Sequence, residues 1–153
     1  MSWRELVDAA EAVRAAAFTY DASLEGLPLA GIGWAAVDFE RAQQELDARL
    51  GLEEDDAATP WTPIARDPAL GARAWLRSAG ETGPPDIRRP ALVLLEPDTE
   101  GRIAASLARF GEGVAVIYLG DGPAGPGRLL RGGGMWGPHV VVVGSSGGNE
   151  GTA

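Results

Sequence analysis

The feature that most constrains the fold of this chain is a strand–helix unit that occurs twice. In residues 30–51, AGIGWAAVDFERAQQELDARLG, an apolar strand is followed by a polar step at Asp38 and an amphipathic helix that ends at a glycine. Residues 90–111, PALVLLEPDTEGRIAASLARFG, repeat this order with Asp98 at the step. Aspartate is a preferred helix N-cap and glycine a preferred terminator, so each unit predicts a buried strand followed by a helix.

The remaining patterns predict one more helix and several short strands. Ser2 and Glu5 form a capping box, and the apolar residues that follow at helical spacing predict a helix over residues 3–17. Alternating or continuous apolar runs predict further strands at residues 61–66, 71–79, 113–120, 128–131 and 139–144. Several strands are joined by loops too short for crossover helices. We therefore predict an α+β fold with a mixed, mainly antiparallel sheet.

The length and composition indicate a single cytoplasmic domain. A chain of 153 residues suffices for one core, which we place in residues 1–144, and the Gly/Ser-rich residues 145–153 are expected to form a disordered tail. No run approaches the roughly 18 apolar residues of a membrane helix. The first residues also lack the apolar segment of a signal peptide. We therefore expect a cytoplasmic protein with no membrane partner.

The composition also excludes several kinds of site. Cysteine and lysine are absent, which excludes disulfides, cysteine-bound metals and a lysine Schiff base. His139 is the single histidine, too few for a multi-histidine metal site. The net charge of −9 argues against binding to a nucleic-acid backbone.

Between residues 30 and 120 the chain resembles the vicinal oxygen chelate superfamily, which includes glyoxalase I, bleomycin-resistance proteins and extradiol dioxygenases. The segments that carry the resemblance are IGWAAVDFERAQQELDARLG, LVLLEP and SLARFGEGVAVIYL. They match the superfamily's first strand and helix, its fourth strand, and the short helix that leads into its fifth strand. The resemblance implies βαβββ modules whose curved sheets enclose a ligand cavity.

In this scheme, residues 30–97 form the first module, and residues 98–144 form a linker helix and a shortened second module. The N-terminal helix at 3–17 would cover the surface that the shortened module leaves open, or mediate a homodimer. The resemblance also places metal-ligand positions of the enzymatic members near Ile32, Val93, Val116 and Val142. Because none of these side chains can bind a metal, it implies a metal-independent protein without a cofactor.

Two groups are candidates for acid–base catalysis. His139 stands at the start of the last strand. An imidazole there is either functional, as a general acid or base or a hydrogen-bonding group, or a surface or satisfied polar group. Glu96 ends a buried strand. It either points into the cavity or pairs with an arginine or caps a helix.

Aromatic residues and arginines are candidates for ligand binding. Small-molecule pockets are commonly lined by aromatic rings with a few polar groups, although aromatic residues on strands also serve as core. The candidate rings are Trp34, Trp75, Tyr118 and Trp136. Arg73 and Arg77 share a strand face with Trp75 and either hold an acidic ligand group or face solvent. The glycine-rich residues 120–137 are a candidate mobile loop or lid.

Three functions remain open from the sequence. The first is a metal-independent pocket protein that binds an aromatic or polycyclic metabolite for resistance or sequestration. The second is a cofactor-free cyclase, isomerase or lyase that acts on such a metabolite in natural-product biosynthesis. The third is a non-catalytic, dimeric interaction protein. A polar group inside the cavity favours the enzyme, whereas the lack of a cavity would favour the third function.

Overall fold

A computed structural model describes residues 2–19, 21–51, 60–78, 90–130 and 137–144. The helices are α1 (Trp3–Phe18), α2 (Phe39–Leu50) and α3 (Arg102–Phe110), and a short 3-10 turn occupies Ala22–Leu24. The strands are β1 (Leu29–Ala35), β2 (Thr62–Asp67), β3 (Ala72–Arg77), β4 (Ala91–Pro97), β5 (Gly113–Leu119), β6 (Arg128–Leu129) and β7 (His139–Val142). No helix in the described ranges is both long and apolar enough to cross a membrane.

The seven strands form one mixed sheet in the order β2-β3-β4-β1-β5-β7-β6. β1 runs parallel to β4, and β5 runs parallel to β7. The pairs β1–β5, β2–β3, β3–β4 and β6–β7 are antiparallel. The prediction of an α+β fold with a mixed, mainly antiparallel sheet is confirmed.

The helix ends follow the capping signals in two of the three helices. At α1, the hydroxyl of Ser2 accepts a hydrogen bond from the backbone N–H of Glu5 at 3.1 Å, as the capping box predicts. At α2, the carboxylate of Asp38 accepts from the backbone N–H of Arg41 at 3.3 Å. Gly51 ends α2 in the left-handed conformation, with φ of 68°. These contacts satisfy backbone groups that would otherwise have no partner.

The prediction that Asp98 caps α3 is wrong. The helix begins at Arg102, its N-cap is Gly101, and no side chain caps it. The backbone N–H of Asp98 instead donates to the carbonyl of Gly71 at 2.9 Å, and its carboxylate pairs with Arg66. Asp98 therefore ties the end of β4 to the β2–β3 hairpin, and this long-range pairing outweighs its local capping preference.

The sheet has an outer face, which α1 and α2 cover. The outer core contains residues from both helices and from alternate positions of the central strands. α1 packs against β1 and β5, whereas α2 packs against β4. In the described part of the chain between β5 and β7, no helix is present. α1 therefore covers the outer face of the sheet at β1 and β5.

The opposite face of the sheet, which we call the inner face, is concave. A loop over residues 120–127 lies on it and brings Ala124 against Gly31 of β1, while Gly125 faces Ile64 of β2. β1 and β2 are three strand positions apart, which in a flat sheet is about 14 Å. Adjacent residues of one loop reach both strands, so the sheet must curl around the loop. α3 contributes Ile103 to the same inner core.

Candidate functional site

Two polar side chains lie on the inner face, on neighbouring strands. Tyr118 on β5 belongs to the inner core, and only 2% of its surface is exposed. His139 is 6% exposed and begins β7, where it pairs with Val116 of β5. Alternate residues of a strand share a face, and Val141 belongs to the inner core, so His139 faces inward as well. Strand geometry puts the Cα atoms of Tyr118 and His139 roughly 8 Å apart.

The ring of Tyr118 lies over the backbone of β1 because β1 has glycines at two inner-face positions. A Cβ atom at Gly33 would lie 2.9 Å from Cβ of Val116 and 3.3 Å from Cε2 of Tyr118. A Cβ atom at Gly31 would lie 3.4 Å from Cδ2 of Tyr118. The two glycines therefore form a shallow notch that accommodates the aromatic ring.

A carboxylate that the sequence analysis missed lies near the phenol. Asp67 at the end of β2 is buried, and its Oδ1 accepts a hydrogen bond from the backbone N–H of Ala69 at 2.9 Å. The burial of Tyr118, together with the negative charge of Asp67, raises the pKa of the phenol above its ordinary value of 10.0. The phenol thus keeps its proton and remains a hydrogen-bond donor at neutral pH. In the sequence, Asp67 carries only a turn signal, in RDPALG.

Glu96, the second candidate for acid–base chemistry, lies on the outer face. Its Oε2 accepts a hydrogen bond from the backbone N–H of Phe39, in the first turn of α2, at 3.1 Å. Its Oε1 pairs with the guanidinium of Arg73. An anion at a helix N-terminus is stabilised by the helix dipole, so Glu96 anchors α2 to β4. It does not meet Tyr118 or His139.

The tryptophan and arginine candidates of β1 and β3 also lie on the outer face. Trp34 belongs to the outer core, and Trp75 packs against that core. The ring of Trp75 stacks on Phe39 of α2 with centroids 3.8 Å apart, and the guanidinium of Arg73 lies 5.4 Å from the Trp75 centroid. These contacts attach α2 to the sheet.

Arg77 belongs to the same attachment. It pairs with Asp47 of α2, with 3.4 Å between Nη1 and Oδ1, and both side chains are largely buried. The indole N–H of Trp61 donates to the same carboxylate oxygen at 3.0 Å. Of the predicted site residues that the structure describes, Tyr118 and His139 lie on the inner face and the others lie on the outer face. Trp136 lies outside the described residues.

The metal-ligand positions implied by the resemblance need a correction of one residue on two strands. Val93 and Val116 face inward as expected, but Ile32 and Val142 pack on the outer face. A shift of one residue along a strand moves a side chain to the other face, so the inward positions are Gly31 or Gly33 on β1 and Val141 on β7.

These inward residues do not fit a metal ion either. Glycine and valine have no donor atom for a metal. Within the described ranges, no group of three or more histidine, aspartate or glutamate side chains is placed to hold one. The inner face as described therefore offers Tyr118, His139 and Asp67 as separate polar groups and not as a ligand set.

Comparison with known proteins finds likeness at the level of three-dimensional structure only. No protein-family model and no curated protein sequence matches the chain. A variant of the Streptomyces coelicolor methylmalonyl-CoA epimerase in complex with 2-nitronate-propionyl-CoA matches with a TM-score of 0.55 at 19% identity, covering 77% of this chain and 94% of that one. A methylmalonyl-CoA epimerase in complex with methylmalonyl-CoA and NH4+ matches at 0.56 and 19%, covering 78% and 95%. The Mycobacterium tuberculosis epimerase matches at 0.52 and 17%, covering 76% and 86%.

Proposed function

Because the chain has the vicinal oxygen chelate fold that its sequence resembles, we propose that it binds a small molecule on the inner face of its sheet without a metal ion. The observation that carries this proposal is the presence of Tyr118 and His139, on the neighbouring strands β5 and β7, on one curved and otherwise largely apolar face. A concave apolar surface with a few convergent polar groups is the usual form of a small-molecule site.

The lining of the inner face favours an uncharged aromatic or polycyclic ligand. Small and aliphatic side chains on β3 and β4 belong to the same inner core as Tyr118: Ala72, Ala74, Leu76, Val93 and Leu95. The phenol of Tyr118 supplies a donor for a carbonyl or hydroxyl group of the ligand, and His139 supplies a second polar contact. Binding of this kind serves resistance to a metabolite or its sequestration.

A coenzyme A thioester suits this surface less well. One of the epimerases of like fold is in complex with methylmalonyl-CoA, a ligand with several negative charges. The present chain has a net charge of −9, and Arg73 and Arg77 are paired with carboxylates on the outer face. Repulsion of an anionic ligand by the net charge favours the uncharged class.

The proposal is tested by titrating the protein with uncharged aromatic compounds of one to four rings and with a coenzyme A thioester, followed by ligand-observed NMR. We expect a polycyclic compound to bind and the thioester not to bind. Y118F should weaken binding by about fivefold, because it removes one hydrogen bond worth about 1 kcal/mol. H139Q should also weaken binding, because the glutamine amide does not reproduce the position of the imidazole nitrogens. Circular dichroism of each variant establishes that it is folded.

The matched arm of this experiment changes polar residues on the outer face. E96Q and R73Q should bind the same compound as tightly as the wild type does. If these two variants lose affinity while Y118F and H139Q keep it, the ligand site lies on the outer face and the proposal is wrong. Binding of the thioester alone would contradict the ligand class.

A cofactor-free enzyme on the same face is the second candidate, and the buried position of His139 beside Tyr118 favours it. In this candidate, His139 removes a proton from a carbon next to a ligand carbonyl, and Tyr118 donates a hydrogen bond to the oxygen on which negative charge develops. Return of the proton to another carbon, or to the opposite face of the same carbon, gives an isomer of the ligand. A pure binding protein needs no such proton transfer.

The two candidates are separated by following a bound aromatic ketone in deuterium oxide. An enzyme incorporates deuterium next to the carbonyl, and H139Q should abolish this incorporation while the ketone still binds. A wild-type protein that binds the ketone without incorporating deuterium is a binding protein towards that compound.

A further inference from the structure

The loop over residues 120–127, which we call the strap, occupies the inner face that the proposed function assigns to a ligand. It follows β5 directly and precedes β6. Ala124 at its centre is 6% exposed and belongs to the inner core together with Tyr118. The strap is therefore packed on the sheet and does not extend into solvent.

Ala124 fills the notch beside the phenol. A Cβ atom at Gly31 would lie 2.6 Å from Cβ of Ala124 and 3.4 Å from Cδ2 of Tyr118. The methyl group of Ala124 and the edge of the Tyr118 ring thus lie around the same point of β1. A ligand ring placed on this part of the face needs the volume that Ala124 now takes.

The base of the strap is held against β7 through glycines that leave no room for a side chain. A Cβ atom at Gly127 would collide with the carbonyl oxygen of Val142, and one at Gly122 would collide with the carbonyl oxygen of Gly144. Gly125, by contrast, has only Cδ1 of Ile64 nearby, 3.9 Å from the position of a Cβ atom. None of these three glycines has a positive φ, so the space around it decides whether a side chain is tolerated.

We propose that the strap is a built-in competitor for the ligand site, which must leave the inner face before a ligand can contact Tyr118. This inference rests on the proposed function. The strap and the ligand then exclude each other, and the measured affinity equals the intrinsic affinity multiplied by the fraction of molecules with the strap displaced. A change that displaces the strap without touching the site tightens binding.

The test compares two glycine-to-alanine changes in the strap. G127A places a methyl group against the carbonyl of Val142 and should lift the strap from β7, whereas G125A places the same group in ordinary contact distance. The probe is Nile red, an uncharged polycyclic dye whose fluorescence increases in an apolar site. Hydrogen–deuterium exchange of residues 120–130 reports whether the strap is displaced.

For G127A we expect faster exchange in the strap and tighter dye binding than for the wild type, and for G125A no change in either. A124G is the second variant, because it removes only the methyl group that fills the notch and does not strain β7. It should tighten dye binding by about fourfold, the equivalent of one buried methyl group.

The outcomes separate this inference from the proposed function. If the wild type binds the dye, and G127A and A124G bind it equally or more weakly despite faster strap exchange, the strap is a wall of the site and the inference is wrong while the function stands. Should neither the wild type nor any variant bind the dye or the aromatic panel, the proposed function fails and the competition fails with it. Binding by G127A and A124G alone would support both.

Discussion

Tyr118 combines an ionisable group with nearly complete burial, and its pKa connects the candidate site to the stability of the protein. The phenol is surrounded by inner-core residues, and the carboxylate of Asp67 lies near enough to disfavour a second negative charge. Both effects raise its pKa above 10.0, the value in the unfolded chain. The folded protein therefore favours the protonated phenol.

The raised pKa predicts a loss of stability at alkaline pH. Below pH 10 the phenol is protonated in the folded and the unfolded states, and its contribution to stability is complete. As the pH rises above 10, the unfolded chain releases the proton but the folded chain does not, so the free energy of unfolding falls by about 1.4 kcal/mol per pH unit. Urea denaturation between pH 9 and pH 11.5 measures this slope.

Y118F is the control for this prediction, because it keeps the ring but has no proton to release. Its free energy of unfolding should change less than that of the wild type over the same interval. Because the chain has no lysine or cysteine, the other side chain that ordinarily titrates in this interval is Tyr20, which both proteins contain. Equal slopes for the two proteins would show that the phenol ionises without opening the core.

At the scale of single elements, α1 is the part of the chain whose role the structure defines best. Leu6, Ala10 and Ala17 of α1 are completely buried in the outer core. The helix packs on β1 and β5, on the same outer face that α2 covers at β4. It thus supplies apolar cover that the short β5–β7 half does not provide from its own described residues.

Removing part of this cover should destabilise the whole sheet. L6A deletes most of a buried side chain, and we expect a loss of about 2–5 kcal/mol in the free energy of unfolding, measured by urea denaturation at pH 7. V37A is the matched control, because Val37 is a large apolar side chain with 67% of its surface exposed, and its truncation should cost less than about 0.5 kcal/mol. Equal stability of L6A and V37A would mean that α1 is not docked on the sheet.

At the scale of the whole molecule, local signals predicted the elements well and the two faces of the sheet poorly. The caps at Ser2, Asp38 and Gly51 depend on residues within one helical turn, and they occur as predicted. Alternation along β3 correctly places Arg73, Trp75 and Arg77 on one face. Every residue of β1 is buried, however, so its sequence cannot distinguish the inner from the outer face.

Contacts between distant segments account for the remaining differences. Asp67 lies near Tyr118 only because the sheet curls and brings β2 towards β5, and nothing local to either residue records this proximity. Glu96 accepts a hydrogen bond from the backbone N–H of Phe39, which lies 57 residues earlier in the chain. The sequence predicted a strand end with an acid there, but the partner that gives Glu96 its structural role comes from the docking of α2.

The docking of α1 on two strands that are far apart in the sequence also affects how the protein folds during synthesis. α1 and β1 leave the ribosome well before β5, yet β1 has its two strand neighbours in β4 and β5, and α1 has part of its docking surface on β5. At about 5–20 residues per second, the roughly one hundred residues between α1 and β5 take on the order of 5–20 s to synthesise. During that interval the part of α1 that docks on β5 has no strand to pack against. A slow codon or a pause upstream of β5 therefore lengthens the period in which proteases and chaperones can bind this segment.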